Sequence, residues 1–119
     1  MFLADDRMNL TITQGDTGLL TIAAESNHTF TSQDRAVFTV KKYDRPVLVS
    51  KHTPDERGTV QIEFLHDTTE CLHPGAYQWD IRYVLDAEIN ACGHVTGGRE
   101  VITPMKPATL TIVEAVGEL

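Results

Sequence analysis

The chain has 119 residues, one domain's length, with 41% hydrophobic and 23% charged residues, which excludes a second core and a disordered tail. Seventeen acidic against ten basic residues give a net charge of -7, so phosphate backbones are repelled and nucleic acid is not an expected partner. No stretch approaches the roughly 18 uninterrupted apolar residues of a membrane helix, so no membrane partner is expected either.

The start, Met1-Phe2-Leu3-Ala4-Asp5-Asp6-Arg7, turns acidic at once and lacks the basic and apolar regions of a signal peptide. Residues 1–8 are expected to form an N-terminal arm on a single domain spanning 1–119. Phe2 and Leu3 have no evident place in a sheet and are candidate interaction anchors. Asn9-Leu10-Thr11 and Asn27-His28-Thr29 fit the glycosylation triplet, which carries no meaning without export.

Val, Ile and Thr supply 32 residues, and β-branched side chains suit a pleated sheet better than a helix. Spacing of two then marks the strands in order. Leu10 and Ile12 form the first pair, Leu20 and Ile22 the second, and Ala36, Phe38 and Val40 the next set. Val60, Ile62 and Phe64 follow, alternating with Thr59, Gln61 and Glu63. Tyr77, Trp79, Ile81, Tyr83 and Leu85 put five large apolar groups on one face and predict the central strand. Arg99 to Thr103 and Thr109 to Val113 close the series.

Turn residues separate these runs at Gln14–Gly18, Asp44-Arg45-Pro46, Thr53-Pro54-Asp55, His73-Pro74-Gly75 and Gly97-Gly98. Asn90 to Gly98 reads either as a Gly97-Gly98 hairpin or as a loop turning near Asn90. Pro104 and Pro107 mark an edge or a change of sheet, because proline cannot donate to a ladder. Asp67 to Leu72 predicts one helical turn with Asp67 as its cap. The pattern implies seven or eight short antiparallel strands in an all-β sandwich or barrel.

Chemistry-bearing residues form no set. His28, His52, His66, His73 and His94 lack metal-ligand spacing, and no acidic run follows an oxygen-rich calcium loop. Cys71 and Cys92 are in no CxxC pair and are read as free thiols, with a single bridge between them as the lesser alternative and Cys71 as a small apolar group under the turn. Cys71 near His73 makes no nucleophile frame. No catalytic residue, metal or cofactor is therefore expected, nor a small-molecule ligand.

The most specific segment runs from Asp67 through His73-Pro74-Gly75-Ala76-Tyr77-Gln78-Trp79 to Ile81. A helical turn, Pro-Gly, then Tyr opening an alternating strand is the layout of a tyrosine corner, with Tyr77, Trp79, Ile81 and Gly75 in structural roles.

Together with Thr13-Gln14-Gly15-Asp16-Thr17-Gly18, the run Asp34–Lys41, Gly58-Thr59-Val60-Gln61-Ile62 and Pro107–Val113, this segment resembles the small immunoglobulin-like domains of phage and prophage tails in Gram-positive bacteria. The nearest group is the N-terminal domain of phage baseplate upper proteins. The resemblance implies an immunoglobulin-like, Greek-key β-sandwich. It also implies a non-enzymatic structural module, made in the bacterial cytoplasm and assembled into a virion tail through contacts with other tail proteins or itself. The alternative is a carbohydrate-binding or adhesin-type β-sandwich.

Overall fold

A computed structural model of the protein describes residues 1–24 and 27–117. Its strands in chain order are β1 (Phe2–Ala4), β2 (Leu10–Thr13), β3 (Gly18–Ala23), β4 (Arg35–Lys42), β5 (Arg45–His52) and β6 (Thr59–Phe64). A five-residue helix, α1 (His66–Glu70), precedes β7 (Gly75–Leu85). β8 (Glu88–Ile89), β9 (Val95–Gly97), β10 (Glu100–Ile102) and β11 (Ala108–Val113) complete the order.

The larger sheet runs β1-β2-β11-β7-β4-β5, with β10 pairing the C-terminal end of β7 beyond the reach of β11. Its pairings are antiparallel except β2 with β11, which is parallel. β3 and β6 form a separate antiparallel pair, and β8 and β9 another. The alternation explains this division. Leu10, Ile12, Phe38, Val40, Trp79, Ile81, Leu110 and Ile112 on the larger sheet share one buried cluster with Leu20, Ile22, Val60, Ile62 and Phe64 on β3–β6. Strand residues between them point away from that core.

Tyr83 lies in the same core, and burial pushes its hydroxyl up to about 12, with Asp55 adding to the rise. It stays protonated and donates to the Gly58 carbonyl at 2.7 Å. The buried carboxylate of Asp34 fastens the loop before β4. It accepts the Thr31 amide at 2.8 Å and the Asp86 amide at 2.9 Å, with His28 Nε2 at 3.4 Å.

Several sequence expectations are corrected. The chain has eleven strands among the described residues, not seven or eight, and they are not all antiparallel. Arg45 and Pro46 belong to β5, not to a turn. The turn is Tyr43-Asp44, both at positive φ (51° and 62°), as a two-residue hairpin with its strands' twist requires. Pro46 is tolerated because β5 is an edge strand. Asp67 does not cap α1. Leu65 holds the cap position with extended backbone, and Asp67 falls in the first turn, where the helix dipole favours a carboxylate. Cys71 is exposed at the helix C-cap, not packed under the turn, and both thiols are free.

Residues 1–8 are not a loose arm. Phe2 to Ala4 pair with β2, Phe2 packs against Phe64 at 5.8 Å, and a Cβ on Gly18 would stand 2.6 Å from the Phe2 ring. Glycine at position 18 leaves the space that Phe2 fills. Leu3, one residue on, points outward and is exposed.

Candidate functional site

The residues singled out from the sequence sit mainly in or beside the core. The Tyr77 hydroxyl donates to the His73 carbonyl at 2.7 Å, and the Lys42 ammonium lies 4.7 Å from its ring centroid. Gly75 opens β7 at φ 144°, where a Cβ would come 2.9 Å from Lys42 Nζ. Trp79 packs on Phe38 at 5.3 Å and donates from Nε1 to the Met8 carbonyl at 3.1 Å. Ile81 is fully buried. The polar atoms of Tyr77 and Trp79 are thus engaged within the fold.

α1 is stitched to the β2–β3 turn. Thr69, fully buried, donates to the Asp16 carbonyl at 2.7 Å, and His66 Nδ1 lies 2.6 Å from the Gly15 carbonyl. Gln14 Nε2 reaches the carbonyls of Glu70 (3.2 Å) and Leu72 (3.1 Å). On β5, Ser50 Oγ lies 2.7 Å from His52 Nε2, and burial holds that imidazole below its usual range. The five histidines do not converge. Among the described residues no group of three or more His, Cys, Asp or Glu is arranged to hold a metal, and no helix is long and apolar enough to cross a membrane.

The concavity with the most apolar lining lies on the outer face of the larger sheet, with a volume of about 670 Å³. β4 supplies Val37 and Thr39, β5 supplies Val49 and Lys51, and β7 supplies Arg82 and Val84. The registers Val37↔Lys51, Val37↔Arg82 and Thr39↔Val49 bring these into adjacent rows. Val101 on β10 pairs with Val84 and closes one end.

The β8–β9 hairpin forms the wall. Its turn lies at Asn90, the second of the two readings left open by the sequence. Asn90 Oδ1 accepts the amides of Cys92 and His94, both at 3.0 Å, and Lys51 Nζ donates to the Gly93 carbonyl. Gly98 presses on Val84, where a Cβ would stand 2.6 Å from Val84 Cγ1. Val84 is therefore buried outside the core cluster, while Val49 and Val101 remain 53% and 46% exposed.

The face carries an excess of cations. Arg35, Lys41, Lys51 and Arg82 share the outward parity of β4, β5 and β7 against a single carboxylate, Asp80, with His94 and Glu88 on the hairpin. Arg82 and Lys41 make no ion pair among the described residues. In a chain of net charge -7, this is a local reversal of sign.

Sequence reasoning missed this site because β5 was hidden behind Asp44 and Pro46. The available signal was the valines at outward parity, Val37 and Val84, where a solvated face would carry polar groups. Comparison of the sequence with protein-family models gives no match, and comparison with curated proteins gives none.

Proposed function

We propose that the chain is an immunoglobulin-like β-sandwich that serves as a non-enzymatic assembly module of a phage or prophage tail or baseplate. The observation that carries the reading is the outer face of β4, β5 and β7, an open valine-lined surface whose Arg82 and Lys41 make no ion pair among the described residues. Such a surface gains by burial against another protein.

Three features support the fold assignment. β2 runs parallel to β11 at one side of a sheet that continues through β7, β4 and β5. β3 and β6 cover that sheet as a second layer. The bond from Tyr77 to the carbonyl four residues upstream, after a short helix, follows the tyrosine-corner pattern. The resemblance to tail domains supplies the biological setting.

A carbohydrate-binding module would present aromatic rings to solvent. Here Tyr43, 89% exposed, stands by itself at a hairpin tip, while Tyr77, Trp79, Tyr83 and the phenylalanines at 30, 38 and 64 are buried. The test is proteomics of phage particles purified from an induced host. Peptides of this chain in the particle band, enriched over cytoplasmic proteins, are the expected result. Their absence from intact particles would overturn the tail assignment.

A further inference from the structure

The face of opposite character lies on the other side of the same molecule. On the two-stranded layer, Leu20, Ile22, Val60, Ile62 and Phe64 point into the core, so Leu19, Thr21, Gln61 and Glu63 point out. Leu19 and Glu63 are direct cross-strand partners. Leu65 follows Glu63 at the same parity, and Leu19 and Leu65 are each 52% exposed. Glu63 is the one charged side chain in these outward rows of β3 and β6. Acidic groups flank both ends of this layer: Asp67, Glu70 and Asp16, the last paired with the Met1 ammonium, beside one, and Asp55 and Glu56 beside the other, where Arg57 also lies.

From these two faces we infer that the molecule self-associates head to tail, the β3–β6 face of one copy docking on the β4–β5–β7 face of the next. Leu19 and Leu65 fill the cleft between Val37, Val49, Val84 and Val101, and Glu63 meets Arg82. A two-fold arrangement of either face on itself would bring two cation-rich faces together, relieved only by Asp80, or place two Glu63 carboxylates in one contact, and the excess of like charge opposes it. A contact between different faces avoids this and uses both apolar surfaces. Because it is heterologous, it propagates into a ring or a stack. The β3–β6 face is only two strands wide, so a single contact is weak and repeated contacts in an assembly supply the strength.

This inference rests on the reading of the chain as an assembly module, and its test is separate from particle proteomics. The measurement is sedimentation velocity of the purified chain from about 10 μM to about 1 mM, where so small a contact is expected to populate. The weight-average sedimentation coefficient should rise with concentration, and less so in 1 M salt. Arg82→Glu and Glu63→Arg should each weaken association about tenfold or more, since one close charge pair becomes repulsive. The double swap, R82E with E63R, should return it to within about threefold of the parent, because the pair is restored in reverse.

Both residues are exposed, and unchanged far-ultraviolet circular dichroism and melting temperature would show that the variants fold. A chain that stays monomeric throughout, or a double swap no better than the single variants, would overturn the head-to-tail contact. A monomer found in phage particles would remove this contact and leave the tail module standing. A self-associating chain absent from particles would do the reverse.

Discussion

The inner and outer faces of the larger sheet are built from the same strands, one residue out of step. The inner rows of β4 and β7 hold Phe38, Trp79, Ile81 and Tyr83, each nearly or fully buried, with the indole and phenol protons of Trp79 and Tyr83 donated to backbone carbonyls. The outer rows hold Val37, Thr39 and Arg82, bounded by a hairpin and partly or fully open to solvent, with Val84 covered by Gly98. Large aromatic groups with every polar atom paired make a closed surface that stabilises the monomer. Small branched groups with an excess of cations make a surface left open in the monomer. The period of two thus separates what holds the fold from the face proposed to meet a partner.

Substitutions that respect this division should differ sharply in effect. Trp79→Ala removes the largest fully buried side chain and leaves the Met8 carbonyl without its donor. It should cost about 3–5 kcal/mol in urea-induced unfolding, from lost transfer energy and the cavity together. A loss below about 1 kcal/mol would place Trp79 outside the core.

Asp34 comes next. Burial alone would raise its carboxyl, but the amides of Thr31 and Asp86 and then His28 outweigh that and hold it below 3.8. A depressed folded value means that its contribution is complete above the unfolded value and is lost as pH falls through the folded one. Asp34→Asn should therefore destabilise the protein near neutral pH by about 2 kcal/mol, the size of a hydrogen bond to a charged group. Thermal melts from pH 7 down to pH 2.5 should show the gap between variant and parent narrowing below about 3.8. A gap that stayed constant would deny the carboxylate its role.

Tyr77→Phe keeps the ring against Lys42 and deletes the bond to His73. The expected cost is about 1 kcal/mol, read from denaturant midpoints at constant slope. The smallest effect belongs to the outer face. Arg82→Glu should change monomer stability by no more than about 0.5 kcal/mol, as for exposed positions away from special features. A large loss would make Arg82 a structural residue and erase the contrast between the faces.

The strands that carry the core were legible from their alternation, above all Tyr77 to Leu85, because burial in the monomer selects the apolar residues of one parity. The short helix and the turn before β7 were legible from Pro74-Gly75 and the residues before them. β5 was not, because Asp44 and Pro46 signal a turn, whereas here Tyr43 and Asp44 adopt positive φ and the strand begins immediately after. β1 is three residues long and has no period to detect; its place depends on Phe2 meeting Gly18 and Phe64 across the fold. The candidate site was least legible of all. Its valines look like ordinary strand residues until the register aligns Val37, Val49, Val84 and Val101 on one side.

The central claim, that the two outward sheet faces are the contact surfaces, is tested most directly by nuclear magnetic resonance of the labelled chain at rising concentration. The account predicts that shifting and broadening amides map to Val37, Thr39, Val49, Arg82 and Val101 on one side and to Leu19, Glu63 and Leu65 on the other, and that they stop moving in Arg82→Glu. Amide shifts that stay constant with concentration, or that move only around the Tyr43-Asp44 turn and α1, would contradict it.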